Sequence, residues 1–162
     1  MVIHNIDPVF DENSEILILG SFPSVKSREC GFFYGHKQNR FWKVTAFVFG
    51  CKVPQTVEEK KDFLLKNHIA LWDIIAECEI SASADSSIKN AAANDIGIIL
   101  NSAKIKAIFV NGKTAEKYYN KYILPKTGIS AVCLPSTSPA NAAQSVEKLS
   151  EKWKAEISRI IR

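Results

Sequence analysis

The stretch EILILG at residues 15–20 leads directly into the polar turn SFPSVKS at residues 21–27. Four consecutive apolar residues between a charged residue and a glycine are typical of a short strand that is buried on both faces. Similar apolar stretches lie further along the chain, at residues 69–73, 105–110 and 130–134. Together these stretches predict four strands.

Helical segments separate the predicted strands. Amphipathic spacing predicts a helix over residues 38–49, and Thr56 followed by Glu59 is the capping-box pattern that begins a second helix. Further helices are predicted over residues 91–102, 114–122 and 141–160. Because strands that alternate with helices form a parallel sheet covered on both faces, we predict an α/β fold, a three-layer α/β/α sandwich with a central four-stranded parallel sheet. A length of 162 residues suits a single domain over residues 1–162.

Composition and charge narrow the class of protein. The formal net charge of +4 is compatible with a polyanionic partner without being diagnostic of one. No apolar run is long enough to cross a bilayer, and the first ten residues lack the basic segment of a signal peptide, so we expect a cytoplasmic protein with no membrane partner. None of the cysteines lies in a CxxC pair, and no second ligand stands at ligand spacing from His36, so we expect no metal ion and no iron–sulfur cluster. These cysteines are Cys30, Cys51, Cys78 and Cys133.

Polar, turn-forming segments follow the predicted strands. Residues 20–24 follow the first strand, Asp73 ends the second, residues 111–113 follow the third and residues 135–139 follow the fourth. In parallel sheets, ligands bind beyond the carboxyl ends of the strands. The sequence therefore predicts a binding site at this edge of the sheet.

Two of these segments allow both a functional and a structural interpretation. The turn at residues 19–27 can present backbone N–H groups to an anion or a carbonyl oxygen, or it can be an ordinary strand-to-loop turn. In the segment FFYGHKQNRFW, residues 32–42, aromatic rings can sandwich a base, and amides can read its edge or orient a water. Alternatively its aromatic residues belong to the core, and helical spacing favours that interpretation for Phe41 and Trp42.

A third segment, LPSTSPAN at residues 134–141, precedes the last predicted helix. Its hydroxyl groups and the N–H groups of a helix N-terminus can bind phosphates. Ser138 or Asn141 can also cap that helix, and both interpretations can hold together. No pairing of a histidine with a serine or cysteine nucleophile stands out in the sequence.

Taken together and in this order, the three segments resemble the uracil-DNA glycosylase superfamily, and most of all its hypoxanthine-DNA glycosylase branch, also called family six. GSFPS at residues 20–24 and YGHKQNRFW at residues 34–42 resemble the first motif of that branch, and residues 134–141 resemble its second. The resemblance extends over roughly residues 7–160. It implies hydrolysis of the N-glycosidic bond of a flipped nucleotide without a cofactor.

The resemblance also implies roles for individual residues. Most of the superfamily carries an Asp or Asn in the first loop that handles the attacking water, and this loop has neither, whereas the essential amide of the hypoxanthine branch matches Asn39. Asn39 can alternatively be only the N-cap of the helix that follows it. The residues expected to bind the base are Gly20, Ser21, Phe22, Pro23, Ser24, Tyr34 and Asn111. Those expected to contact the rest of the DNA are Lys26, Arg28, Lys113, Ser136, Thr137, Ser138, Pro139 and Asn141.

The sequence thus predicts a monofunctional DNA glycosylase of base excision repair that removes deaminated bases, above all hypoxanthine. Its expected partner is double- or single-stranded DNA that contains a damaged base, and we expect a monomer. Three alternatives remain: a mismatch-specific uracil or thymine glycosylase on the same frame, a protein that binds DNA lesions without cutting, and a flavodoxin-like nucleotide binder.

Overall fold

A computed structural model of the chain describes residues 2–3, 6–80 and 88–161, so the outermost residues of the predicted domain lie outside the described residues. The strands are β1 (Val2–Ile3), β2 (Ile16–Gly20), β3 (Ile69–Asp73), β4 (Ile75–Glu79), β5 (Lys89–Ala93), β6 (Ala107–Asn111) and β7 (Ala131–Leu134). The helices are α1 (Val25–Cys30), α2 (Phe41–Phe49), α3 (Val57–Lys66), α4 (Gly97–Leu100), α5 (Lys113–Tyr118), α6 (Leu124–Thr127) and α7 (Val146–Ile157). A π-helical turn, Tyr119–Ile123, connects α5 to α6.

The central sheet has the strand order β3-β2-β6-β7, and all its neighbouring strands run parallel. Every residue of β2 and β3 is buried, as a strand between two helical layers requires. Each fully buried Leu or Ile side chain contributes about 1.5–3 kcal/mol of transfer free energy. The predicted α/β class with its four-stranded parallel sheet is confirmed.

A second, antiparallel sheet of order β1-β4-β5 lies beside the first, and the sequence did not predict it. The predicted helix over residues 91–102 is wrong in its first part, because Lys89–Ala93 is a strand that pairs with β4. Only Gly97–Leu100 is helical in this region. Alanine favours helices, but pairing with an available strand edge outweighs the small propensity of a few residues.

Several helix boundaries also differ from the prediction. Helix α2 begins at Phe41, three residues later than expected, since Asn39 N donates to His36 O at 3.0 Å in a preceding turn. Helix α7 begins at Val146 with Ser145 as its N-cap, so the expectation that Ser138 or Asn141 caps it is wrong. The predicted capping box of α3 is confirmed: Thr56 and Glu59 satisfy each other's backbone N–H groups.

The packing of α2 against α7 holds the end of β7 in place. The Phe41 ring meets the Trp153 ring edge to face at 5.9 Å, and Trp153 Nε1 donates to Pro135 O at 2.8 Å. As expected, Phe41 and Trp42 are buried in the core. Within the described residues, no helix has both the length and the apolar character needed to cross a membrane.

Candidate active site

A cavity of about 370 Å³ opens at the carboxyl ends of the parallel strands, a size typical of small-molecule pockets. Residues at or after the end of each of the four parallel strands reach it, as the position of the polar turns predicts, and residues 33–39 join them. Its lining residues are Gly20, Ser21, Phe22, Pro23, Ser24, Ser27, Phe33, Tyr34, His36, Asn39, Asp73, Asn111, Ser136, Thr137, Ser138, Pro139 and Ala140.

Gly20 and Asp73 form the floor of the pocket. They are partners in the register of β2 with β3, and the Asp73 side chain is 4% exposed. A Cβ atom on Gly20 would collide with Asp73 Oδ1 and would lie 3.0 Å from the Tyr34 hydroxyl. The absence of a side chain at position 20 is therefore what lets a carboxylate and a phenol come together here.

The loop after β2 turns directly into α1, a helix that the sequence does not predict. Ser24 is its N-cap and accepts from Ser27 N at 3.1 Å. The Arg28 guanidinium lies 5.4 Å from the centre of the Phe22 ring, and its Nε donates to Ser24 O at 3.4 Å. These contacts fix the turn that carries Ser21 and Phe22 along one wall of the pocket.

The backbone of Tyr34 itself is strained. Its φ of +52° lies in the left-handed region, which is uncommon for residues other than glycine and often accompanies functional sites. Gly35 next to it donates its N–H to Ser27 Oγ at 2.9 Å. The Tyr34 ring stacks on Phe41 with centroids 4.1 Å apart, so Phe41 covers one face of this ring.

Three polar side chains from different segments form a hydrogen-bonded chain along the pocket. Asn39 Oδ1 accepts from Phe41 N at 3.0 Å and from Thr137 Oγ1 at 2.9 Å. Asn111 Nδ2 donates to Thr137 Oγ1 at 2.9 Å and to the Tyr34 hydroxyl at 3.2 Å, and Asn111 Oδ1 accepts from Thr137 N at 3.1 Å. Thr137, fully buried, is the centre of this chain.

Arg40 holds the loop after β7 by its backbone carbonyls. Its Nη2 donates to Ser138 O at 2.7 Å and to Asn141 O at 2.9 Å, its Nη1 donates to Gln144 O, and its Nε donates to Thr137 O at 3.4 Å. A planar guanidinium can satisfy several carbonyls at once, which an ammonium cannot. Arg40, which directly follows Asn39 in the sequence, therefore fixes the conformation of this loop.

The residues expected to contact DNA divide into two groups. Ser136, Thr137, Ser138 and Pro139 line the pocket. The other four lie outside its lining. Lys26 pairs with Glu29 at 3.6 Å on the exposed face of α1, and Arg28 lies in the same helix. Lys113 begins α5 and is exposed, and Asn141 Nδ2 donates to Ser136 O at 3.0 Å within the loop.

Cys30, Cys78 and Cys133 lie on three different elements and Cys51 lies in the loop after α2, and none of the four is in a disulfide. In the part of the chain that the structure describes, no three potential ligands among His, Cys, Asp and Glu come together as a metal site. Burial raises the pKa of the Cys133 thiol, and the nearby Glu116 carboxylate raises it further, which disfavours the thiolate that metals bind. The expectation that no cofactor is needed stays a prediction.

Several residues that line the pocket were not among the site residues predicted from the sequence. Asp73 was recognised as the end of a strand but was given no role, although a carboxylate at the end of a buried strand is the kind of signal that marks a site. Ser27, Phe33, His36 and Ala140 also line the pocket. All four lie within the three segments that carry the motifs, but nothing in the spacing indicates which side chains turn inward.

The family model described as the uracil DNA glycosylase superfamily matches residues 8–162. The chain belongs to this superfamily.

Two curated relatives named hypoxanthine DNA glycosylase are similar to the chain. One, from Methanosarcina acetivorans, is 36% identical over 157 residues, which cover 96% of this chain and 98% of the relative. The other, from Methanosarcina barkeri, is 34% identical over 136 residues, which cover 83% of this chain and 85% of the relative. A solution NMR structure from Methanosarcina acetivorans, solved under the name uracil DNA glycosylase, has a TM-score of 0.82 and 33% identity, covering 99% of this chain and 100% of that one.

Proposed function

We propose that this chain is a monofunctional DNA glycosylase that hydrolyses the N-glycosidic bond of deoxyinosine in DNA and releases hypoxanthine for base excision repair. The observation that carries the proposal is the place of Asn39 in the pocket of a superfamily member whose first loop, residues 20–24, has neither Asp nor Asn. The relatives named hypoxanthine DNA glycosylase, which match most of the chain, support the choice of base.

The chemistry of the pocket suits the departure of a base. Cleavage leaves positive charge on the sugar and negative charge on the purine, so fixed hydrogen-bond donors around the base stabilise the transition state. Ser21 and Phe22 line the pocket, and Asn39 lines it from a different segment. We propose that the backbone N–H groups of Ser21 and Phe22 bind the base oxygen as it gains charge. An amide is too weak a base to deprotonate water, so stabilisation of the leaving group must supply most of the rate enhancement.

The same pocket argues for hydrolysis without strand cleavage. A glycosylase that also cuts the strand needs an amine nucleophile to form a Schiff base with the sugar. Among the described residues that line the pocket there is no lysine. We therefore propose that an abasic site is the end product.

DNA binding is proposed for the surface around the pocket. Lys26, Arg28 and Lys113 would contact phosphates, and the Ser136–Pro139 segment would face the nucleotide next to the flipped base. Tyr34 would stack on the base with the ring face opposite Phe41. A cytoplasmic monomer that folds as a single domain and acts on either duplex or single-stranded DNA remains our expectation.

The test is a panel of oligonucleotides containing deoxyinosine, deoxyuridine, deoxyxanthosine or a G·T mismatch, treated with alkali after incubation to reveal abasic sites. We expect cleavage at deoxyinosine, and only after alkali. Faster release of uracil or thymine would point to the mismatch-specific alternative. Tight binding of the lesion without any release would point to a lesion sensor.

A further inference from the structure

Backbone N–H groups fix the orientation of the side-chain amides of the two asparagines in the pocket. A backbone N–H can only donate, so the side-chain atom that receives it must be an oxygen. Phe41 N therefore identifies Oδ1 of Asn39, and Thr137 N identifies Oδ1 of Asn111. The Nδ2 group of each side chain must point the other way.

The hydroxyl of Thr137 is then fixed as well. Asn111 Nδ2 donates to Thr137 Oγ1, so this hydroxyl acts as an acceptor toward Asn111 and must send its own proton elsewhere. Asn39 Oδ1 lies 2.9 Å from it and receives that proton. Each donor and acceptor along the path from Asn111 through Thr137 to Asn39 thus has a determined direction.

The consequence for Asn39 is that its oxygen is already engaged. Oδ1 accepts two hydrogen bonds, one from Phe41 N and one from Thr137 Oγ1, which matches the two lone pairs of an amide oxygen. Among the described residues, Nδ2 of Asn39 has no protein partner, and the side chain lines the pocket. Asn39 therefore presents two N–H donors to whatever occupies the cavity.

We infer that Asn39 acts as a hydrogen-bond donor to the departing base and that Thr137 is the positioning residue that holds it in this orientation. The inference rests on the proposed function. As the bond from C1′ to the purine nitrogen breaks, its electron pair passes into the purine ring, and Asn39 Nδ2 stabilises the charge on the ring oxygen or nitrogen that faces it. Water adds to C1′ and loses a proton to solvent, and the purine anion gains one.

Asn111 takes a supporting role in the same scheme. Both hydrogens of its Nδ2 are committed, one to Tyr34 and one to Thr137, so it has no N–H left for a base. Its Oδ1 accepts from Thr137 N and retains one lone pair toward the pocket. It thereby acts on the reaction chiefly by orienting Thr137.

The Asn39→Asp variant tests whether the Asn39 side chain acts as a hydrogen-bond donor or as an acceptor. The aspartate keeps an oxygen for Phe41 N and Thr137 Oγ1, and it caps a helix as well as asparagine does, but it has no N–H to donate. We expect Asn39→Asp and Asn39→Ala to release hypoxanthine about 10²-fold more slowly than the wild type under single-turnover conditions with enzyme in excess. If Asn39→Asp stays within tenfold of the wild type, Asn39 works through an oxygen and the inference is wrong.

Thr137 is tested with Thr137→Val and Thr137→Ser. Valine has nearly the shape of threonine without the hydroxyl, and the backbone bonds of position 137 to Asn111 and Arg40 remain. We expect Thr137→Val to slow release about tenfold or more and Thr137→Ser to restore most of the rate. The control is Thr45→Val, which removes an equally buried hydroxyl bonded to Phe41 O at 2.8 Å inside α2, and which should lower the melting temperature alone. Equal rates for Thr137→Val and the wild type would contradict the positioning role.

One further measurement is independent of activity and separates this inference from the proposed function. Solvent exchange of side-chain amide protons, measured by NMR on the wild-type protein without DNA, should be fast for Asn39 Nδ2 and slow for Asn111 Nδ2. Equal protection of the two would overturn the inference even if deoxyinosine is cleaved. Conversely, a wild-type protein that does not cleave deoxyinosine refutes the proposed function, and the exchange pattern alone then decides the orientation of Asn39.

Discussion

Asn39 serves both the fold and the proposed reaction. Its oxygen accepts the N–H of Phe41, the first residue of α2, so the interpretation as a helix-capping residue is partly right even though Arg40 occupies the N-cap position. Truncation should therefore lower stability by about 1 kcal/mol as well as slow the reaction. The sequence indicated this amide by motif, but only the structure shows which of its atoms faces the pocket, because that depends on Thr137, nearly a hundred residues later.

At the residue scale, Gly20→Ala should impair base release because the new Cβ must displace the buried Asp73 carboxylate and crowd the Tyr34 hydroxyl. We expect a loss of about tenfold or more in the single-turnover rate, since misplacing groups around a reacting centre by about 1 Å can cost about 10²-fold. Circular dichroism should show that the fold is retained.

The matched control is Gly97→Ala, where a Cβ also meets an aspartate carboxylate, with Asp95 Oδ1 at 2.8 Å. That contact lies in an exposed turn at the start of α4, outside the pocket lining. Its rate should equal that of the wild type. A Gly20→Ala protein that matches this control would show that the floor of the pocket tolerates a side chain.

At the element scale, the position of the loop between β7 and α7 was predictable from the sequence, but its conformation was not. Its place after the fourth strand was predictable, because an apolar run ending in Pro-Ser-Thr-Ser-Pro marks both the strand and the turn. The four-carbonyl contact with Arg40 was not, since it depends on a residue from a distant segment. The antiparallel β4–β5 pair was missed for the same reason, as pairing partners decide the structure of weakly patterned segments. The late start of α7 follows instead from the local N-cap Ser145.

Arg40→Lys should loosen this loop without removing a DNA contact. A lysine cannot bond all the carbonyls at once, so we expect affinity for DNA with an abasic site to fall about tenfold. The slope of log affinity against log salt concentration should stay unchanged, since the Arg40 guanidinium is engaged by carbonyls rather than phosphates.

Lys113→Ala provides the comparison, because loss of one phosphate contact reduces that slope by about 0.9. Fluorescence anisotropy over a series of salt concentrations gives both quantities. If Arg40→Lys flattens the slope as much as Lys113→Ala does, Arg40 contacts phosphate and its role in holding the loop is not the main one.

At the scale of the whole molecule, the parallel sheet converts four separate turns into one pocket. The carboxyl ends of β2, β3, β6 and β7 lie along one edge, so segments far apart in sequence become neighbours. This convergence was predictable from the order of strands and polar turns alone. The identity of the inward-facing side chains was not, because it depends on the twist of each turn.

We expect the reaction proposed for this pocket to need no metal. EDTA should leave the rate of base release unchanged, and the purified protein should be colourless, since the cysteines lie in separate segments of the chain and burial raises the pKa of Cys133. Metal analysis of the purified protein together with the EDTA assay checks both points. Activity that EDTA abolishes and a divalent ion restores, or a brown protein, would contradict the expectation.

The central claim is that the pocket releases an intact purine base by hydrolysis. Its most direct test is mass spectrometry of the products of a single turnover on a duplex that contains one deoxyinosine, before any alkali is added. We predict equimolar amounts of free hypoxanthine and of the full-length strand carrying an abasic site. With Asn39→Ala we expect neither product on the same timescale. Unchanged deoxyinosine in the wild-type reaction, or hypoxanthine released together with a broken strand, would contradict the account.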